Sequence, residues 1–252
     1  MSLDRSRRAS TSPALDLPPP YRLVTLREVG DAFAHAGKIA AEAGAGTLVY
    51  VGRFDLAEFA VVLEPDEPLA LARRAFYAGM IALADALAAH APPEKPITID
   101  WPDAIRIDGG LIGGARLAWP EDADENEPPA WLIFGAMIRT VAMGEDEPGL
   151  RPLSSALEAE GFDDLGSGRL VESFARHLMV ATDTWQEKGF GEIAKSYLAR
   201  LAPSASGVRC DLAENGDLIV RRMTDAAPER RALAQVLAQM PSWLDPTTGG
   251  PK

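Results

Sequence analysis

The spacing of apolar residues predicts where the first elements of the chain lie. From residue 25 to 43 apolar side chains recur at steps of three and four, which is the period of an amphipathic helix, and Gly44 follows as an ending. Two apolar runs, 48–51 and 59–63, flank a Gly-Arg-Phe-Asp interruption and predict a hairpin. Residues 68–90 are alanine-rich and contain no proline after the first position, so they predict a long central helix.

Four runs in the middle of the chain are rich in β-branched residues and predict a meander of antiparallel strands. The predicted strands are 97–101, 104–108, 111–119 and 130–142. Two helices that break near Gly189 are predicted over 169–202, where they would close the main domain. The pattern indicates an α+β fold in which a mostly antiparallel or mixed sheet is packed by helices.

The pattern changes near the end of the chain. Asn215-Gly216 stands between two alternating runs within 208–223, and this dipeptide favours a tight hairpin whose two turn residues both have positive φ. A helix is predicted over 227–240, and a Pro/Gly-rich end follows. The predicted division is a disordered tail at 1–20, a main domain at 21–203 and a small β-rich C-terminal subdomain at 204–252.

Charge and hydropathy narrow the classes of partner. The 252 residues carry a formal net charge of −12, which argues against a general nucleic-acid binder because phosphate contacts need clustered Lys and Arg. No stretch approaches the roughly 18 uninterrupted apolar residues of a membrane span, so a soluble protein without a membrane partner is expected. The acidic insert 121–129 is predicted to be a solvated loop, with a partner-docking patch as the alternative.

Common catalytic and metal-binding signatures are absent from the sequence. It contains no Gly-x-Ser-x-Gly elbow, phosphate loop or His-Glu-x-x-His pattern, and His35, His90 and His177 are isolated. Cys210 is the only cysteine, so there is no intrachain disulfide and no Cys/His cluster with zinc spacing. We therefore predict no metal site and a cytoplasmic location.

The stretch 100–120, which reads DWPDAIRIDGGLIGGARLAWP, is the most distinctive in the chain. Pro102 follows Trp101 and cannot donate a backbone hydrogen bond, so we expect a sheet edge or a bulge there. Gly113 and Gly114 remove side chains from a strand, which would let a flat ligand or an acyl chain lie against the backbone. In the alternative interpretation the glycines mark a bulge or close packing, and Trp101 is an ordinary core residue.

This hairpin resembles the central hairpin of the biotin and lipoate protein ligase family, which reads approximately Trp-Pro-Asn-Asp, an apolar strand, a turn and Lys-apolar-small-Gly. The matching residues are Trp101, Pro102, Ile105, Ile107, Asp108, Gly109, Gly110, Ile112, Gly113 and Gly114. The layout of elements is similar over 45–202. The resemblance implies the class II synthetase-like fold of that family, and the small C-terminal β unit is similar to the appended domain of biotin ligases.

The chain departs from the family pattern at the positions that carry its chemistry. Leu111 stands where the family has a lysine. In the family, the fixed positive charge of that lysine stabilises the negative charge that develops during the reaction. The Asn-Asp pair is replaced by Asp103-Ala104, and the usually basic residue before the tryptophan is Asp100. The phosphate-wrapping Gly-Arg-Gly-Arg loop has only the short segment 52–54 as a counterpart. These departures argue against ATP and Mg²⁺ as cofactors.

The resemblance and the flanking arginines define a candidate site without a predicted catalytic residue. The predicted ligand-binding residues are Arg53, Trp101, Pro102, Asp103, Arg106, Leu111, Gly113 and Gly114. The main hypothesis is a protein that binds a small acyl-type ligand such as biotin, lipoate or an octanoyl group, or a biotin or lipoyl carrier domain, without adenylation. One alternative is an active biotinyl, lipoyl or acyl transferase in which another residue supplies the charge. The other is a non-enzymatic homodimer that pairs through the hairpin edge.

Overall fold

The computed structural model describes residues 15–142, 153–203 and 206–252. A seven-stranded mixed sheet forms its centre, with the strand order β1-β2-β3-β7-β6-β5-β4. The strands are β1 (Arg22–Leu26), β2 (Thr47–Val51), β3 (Leu56–Leu63), β4 (Ile97–Asp100), β5 (Ala104–Ile107), β6 (Gly110–Ala118) and β7 (Leu132–Arg139). β1 pairs with β2 in parallel, and every other pair in this sheet is antiparallel.

Helices cover the two faces of this sheet. The helices are α1 (Ala32–Ala43), α2 (Leu69–Ala72), α3 (Ala75–Ala88), α4 (Ser167–Lys188) and α5 (Phe190–Ala199). Along β3, Phe59 and Val61 point into the large core under α3 and α4, while Ala60 and Val62 point to the smaller cluster under α1. The alternation of a strand between two apolar layers therefore explains why β3 is apolar except at Glu58, whose carboxylate accepts the N–H of Ala32 at 2.9 Å.

A small antiparallel sheet follows the helices. It contains β8 (Val208–Leu212), β9 (Leu218–Arg222) and β10 (Glu229–Arg231), and the short helix α6 (Leu233–Leu237) comes after it. The predicted α+β class, the β2–β3 hairpin, the β4 to β7 meander and the helix pair broken at Gly189 are confirmed. The predicted boundaries of the domains stay predictions.

The predicted helix over 25–43 is wrong in its first part. Residues up to Leu26 form β1, Val29 is 97% exposed, and the helix begins after Asp31, whose carboxylate accepts the N–H of Ala34 at 2.8 Å. The apolar residues before Asp31 belong to a strand that is held by its pairing with the distant β2. The apolar residues of β1 and α1 together fit a helical period, because a strand and a helix can place apolar residues at similar spacings. The boundary between β1 and α1 was therefore not visible in the pattern.

The predicted helix over 68–90 is divided into α2 and α3 at two buried arginines. Arg73 pairs with Glu125 and Arg74 pairs with Glu67, so both guanidinium groups turn towards partners outside the helix. The contact with Glu125 also fixes part of the acidic insert that we predicted to be a solvated loop, although its neighbours are mostly exposed. The backbone keeps its right-handed conformation through the break, where hydrogen bonds from Arg74 to Leu71 and from Phe76 to Arg73 span three residues instead of four.

Three predictions near the chain ends also need correction. Gly216 has φ of 86° but Asn215 does not have positive φ, and the β8–β9 connection spans 213–217 instead of a two-residue turn. The predicted helix at 227–240 is β10 followed by the short α6, because 229–231 pair with β9. Of the predicted disordered tail, Leu15 and Leu17 pack against the core, and 1–14 lie outside the described residues.

No helix among the described residues is long and apolar enough to cross a membrane.

The packing between α3 and β7 makes a test possible with two glycines. A Cβ added at Gly79 would lie 2.3 Å from the Phe134 ring, whereas one added at Gly37 on α1 meets nothing within 4 Å. Although alanine is the better helix former, Gly79→Ala should lower the free energy of unfolding by about 1–3 kcal/mol because the core is overpacked. Gly37→Ala should raise it by up to about 1 kcal/mol. Urea denaturation measures both, and a similar gain in both variants would contradict this packing.

Candidate functional site

The hairpin of β5 and β6 contains a β-bulge at its glycines. Ile105 lies opposite Gly113 and Arg106 opposite Leu111, so Ile112 is the extra residue of β6. Gly113 has φ of 144°, and a Cβ there would lie 1.9 Å from the carbonyl oxygen of Met137. Glycine at 113 therefore allows a close approach of two backbones, which agrees with the bulge interpretation of this motif.

The adjacent Gly114 is covered by the indole ring of Trp243. A Cβ on Gly114 would lie 2.5 Å from both Cδ1 and Nε1 of that ring. Trp243 is 1% exposed, and its Nε1 donates to the carbonyl of Ala115 at 3.2 Å. The space that we expected a ligand to occupy beside Gly114 thus holds a side chain of the protein itself, and Gly113 and Gly114 as ligand contacts stay predictions.

Trp243 belongs to a folded C-terminal segment, residues 241–252. Within it the N–H of Lys252 donates to the carbonyl of Trp243 at 2.8 Å, and the N–H of Asp245 donates to the carbonyl of Gly250 at 2.8 Å. Arg139 at the end of β7 donates to the carbonyl of Pro251 at 2.6 Å. The segment is therefore fixed both to itself and to the central sheet.

A cavity of about 770 Å³ lies between this segment and the hairpin, which is within the usual range for a small-molecule site. Its apolar walls are Ala104, Leu111, Leu153 and Trp243. Its polar and charged groups come from Asp100, Arg106, Ser154, Ser242, Asp245 and Lys252. The cavity thus combines an apolar wall with charged groups of both signs.

The charges around the cavity are not equally available. Arg106 donates through Nε to Asp100 Oδ2 at 2.6 Å and through Nη1 to the carbonyl of Gly109 at 2.9 Å. Lys252 Nζ donates to the carbonyl of Ser242 at 2.6 Å. Within the described parts of the chain, the ammonium of Lys252 has no carboxylate within 4 Å. The arginine is thus paired with a carboxylate, whereas Lys252 Nζ is bonded to a backbone carbonyl.

Asp103 is buried next to the C-terminal segment. It is 5% exposed, and Ser242 Oγ donates to its Oδ1 at 3.2 Å. Burial raises the pKa of Asp103 to about 6, and the hydrogen bond from Ser242 offsets part of that rise. The carboxylate is therefore ionised at neutral pH at a cost in stability.

Trp101 and Pro102 anchor the hairpin on the side of the helical core. Trp101 Nε1 donates to the hydroxyl of Tyr77 at 3.1 Å, and the Tyr197 hydroxyl donates to the carbonyl of Pro102 at 2.7 Å. The Trp101-Pro102 peptide bond is cis and lies in the turn that follows the edge strand β4, in agreement with the expected edge position, and the bulge of the hairpin lies at Ile112. As ligand contacts, both residues stay predictions.

The arginines outside the cavity also have partners. Arg53, in the β2–β3 connection, donates through Nε to Asp55 Oδ1 at 2.8 Å, and it does not line the cavity. Arg116 lies 4.1 Å above the ring of Phe33, and its Nη2 is 3.4 Å from Asp31 Oδ1. Neither guanidinium faces Leu111 across the cavity.

The structure brings together only part of the predicted site. Arg106 and Leu111 line the cavity, and Asp103 and Gly114 contact the C-terminal segment. Trp243 and Lys252 were not predicted as site residues, and both lie outside the predicted helices and strands. A usable signal was present, because a tryptophan within a Pro/Gly-rich stretch has no local helix or strand on which to bury its ring.

In the described parts of the chain, no group of three or more His, Cys, Asp or Glu side chains is arranged to hold a metal ion.

Comparison with protein families gives a match over most of the chain. The sequence pattern of the biotin/lipoate A/B protein ligase family matches residues 17–199. The chain belongs to this ligase family. The family match thus includes the central sheet, its helices and the hairpin at Leu111, while the segment that carries Trp243 lies beyond it. Comparison with curated proteins gives no match.

Solved structures show the same fold. A biotin protein ligase-like protein of unknown function from Silicibacter is 29% identical, with a TM-score of 0.76 over 90% of this chain and 100% of that one. The biotin protein ligase of Aquifex aeolicus is 16% identical, with a TM-score of 0.66 over 84% of this chain and 96% of that one. At that identity the likeness to the Aquifex enzyme shows the ligase fold alone.

Asp103 gives the site a testable pH dependence. The folded protein holds the Asp103 proton more tightly than the unfolded chain, so the carboxylate destabilises the fold above about pH 6 and this effect fades towards about pH 4. Asp103→Asn should raise the free energy of unfolding by about 1–3 kcal/mol at pH 8, with a smaller gain as the pH falls to about 4.

Thermal unfolding from pH 4 to 8 measures the difference, with Asp122→Asn at an exposed position as the control. A variant that loses stability at pH 8, or gains the same amount at every pH, would contradict a buried carboxylate at 103.

Proposed function

We propose that this member of the biotin/lipoate ligase family binds a small acyl-type ligand, free or on a carrier domain, without the family's adenylation chemistry. The observation that carries the proposal is the cavity beside the hairpin, whose wall is Leu111 where the family resemblance places a lysine. A side chain without charge at that position favours contact with a hydrocarbon chain over stabilisation of an anionic intermediate.

The shape and chemistry of the cavity support an acyl ligand. Leu111, Leu153 and the indole of Trp243 offer apolar surface, and its burial by a ligand contributes roughly 25 cal/mol per Å². Polar groups on the same cavity suit the carboxyl end of such a molecule. An Aquifex biotin protein ligase of the same fold was solved with biotin and ATP, and biotin, lipoate and octanoate are therefore the first ligands to test.

The pairing of the arginines supports the absence of adenylation. Arg53 is engaged by Asp55 and Arg106 by Asp100, so neither presents an unpaired charge to a nucleotide phosphate. Phosphate-binding sites in proteins usually use unpaired cations or a ring of backbone N–H groups. A cytoplasmic location and a carrier-domain partner remain part of this proposal.

A homodimer through the β4 edge has less support. The N–H of Ile99 donates to the carbonyl of Arg200 at 2.8 Å, and its carbonyl accepts the N–H of Ala202 at 2.9 Å. These bonds occupy the middle of the edge strand, which a symmetry mate would need for pairing.

Calorimetry with octanoate, lipoate and biotin tests the ligand proposal. Leu153 lines the cavity and is 69% exposed, so Leu153→Asp should fold normally and weaken binding of the best ligand by about tenfold, since it places a charge against the acyl chain. Val180→Asp is the matched control, because Val180 is 62% exposed on α4 and lies away from the cavity. If the wild-type protein binds none of the three ligands, the proposal fails.

Exchange of labelled pyrophosphate into ATP tests the absence of adenylation. With Mg²⁺ and each acyl ligand present, we expect the same rate as in the absence of protein, because Leu111 offers no charge to an adenylate and Arg53 and Arg106 are already paired with carboxylates. Ligand-dependent exchange would instead favour an active transferase.

A further inference from the structure

Lys252 is the charged residue of the cavity that is best placed to contact a ligand. We propose that its ammonium group binds the carboxylate of the ligand, so that the cavity selects carboxylates with an apolar chain. This inference rests on the proposed function and adds the residue that determines specificity for the head group.

The backbone of Lys252 is held firmly at the cavity. Its N–H donates to the carbonyl of Trp243 at 2.8 Å. Its carbonyl oxygen accepts hydrogen bonds from Ser154 Oγ at 2.7 Å and Arg139 Nη2 at 3.2 Å. The side chain therefore starts from a fixed position, which lowers the entropy that is lost when it binds a ligand.

The ammonium group of Lys252 has N–H donors that make no hydrogen bond within the described residues. An ammonium carries three donors, and one of them reaches the carbonyl of Ser242 at 2.6 Å. Among the described residues no Asp or Glu carboxylate lies within 4 Å of it, in contrast to Arg106, which is paired with Asp100. Asp245, the acidic residue of the C-terminal segment, also lines the cavity, and its carboxylate accepts the N–H of Thr247 at 2.8 Å. Lys252 is thus a cation whose charge and donors remain available.

The apolar wall lies in the same cavity as this cation. Leu111 and Trp243 line the space together with Lys252, so a ligand with a hydrocarbon chain and an anionic end can contact both kinds of group. A charge-assisted hydrogen bond to a carboxylate is stronger than one between neutral groups. The arrangement favours a carboxylate over the corresponding neutral amide.

The test compares octanoate with octanamide, which have the same chain and differ in charge. Lys252→Met should weaken octanoate binding by about tenfold and leave octanamide binding within about twofold, and Lys252→Arg should restore most of the octanoate affinity. Lys195→Met is the matched control, because the Lys195 side chain is 78% exposed on α5. Calorimetry on the full chain measures each affinity.

Each other outcome would overturn the inference. Unchanged octanoate affinity in Lys252→Met would show that the ammonium does not bind the carboxylate. An equal loss for octanoate and octanamide would show that Lys252 only holds the C-terminal segment in place through Ser242. If the wild-type protein binds neither compound nor any other acyl ligand, the proposed function itself fails, and the variants are not needed to show it.

Discussion

The packing of Trp243 on the backbone of β6 determines how the candidate site is built. The indole can reach the sheet because residue 114 is glycine, and any Cβ at that position would overlap the ring. With Trp243 buried, Ser242 lies beside Asp103 and Lys252 lies at the cavity. The contact between Trp243 and Gly114 therefore positions the indole in the cavity wall, Ser242 next to Asp103, and Lys252 at the cavity.

This arrangement separates membership of the ligase family from its chemistry. The fold is that of the family, the resemblance of the hairpin puts Leu111 at the position of the family's lysine, and Arg53 and Arg106 are paired with Asp55 and Asp100. A fold fixes where a site lies, whereas the reaction depends on particular side chains in it. The cavity combines the apolar wall of Leu111 and Trp243 with a cation, Lys252, that the C-terminal segment supplies.

The elements that could be predicted are those fixed by local sequence. The β2–β3 hairpin, the meander and the break at Gly189 follow from alternation, β-branched residues and glycine. β1 could not be found this way, because its pairing with β2 spans a whole helix and leaves no local signal. The division of α2 from α3 is a short stretch of three-residue hydrogen bonds at Arg73 and Arg74, which the apolar periodicity does not reveal.

The hairpin of the candidate site could be predicted from the sequence, but the packing of Trp243 on it could not. The glycines at 113 and 114 mark close approaches to the backbone, from the Met137 carbonyl at Gly113 and from the Asp103 carbonyl and the Trp243 ring at Gly114. Trp243 lies more than a hundred positions further along the chain, so no periodicity connects it with Gly114. Contacts of that separation depend on the complete fold.

A crystal structure of the protein soaked with octanoate tests the ligand site most directly. We expect electron density for the chain along Leu111 and Trp243, with the carboxylate next to Lys252 Nζ and the indole still packed on Gly114. An empty cavity at saturating octanoate, or a ligand lying on Gly114 with Trp243 displaced, would contradict the site described above.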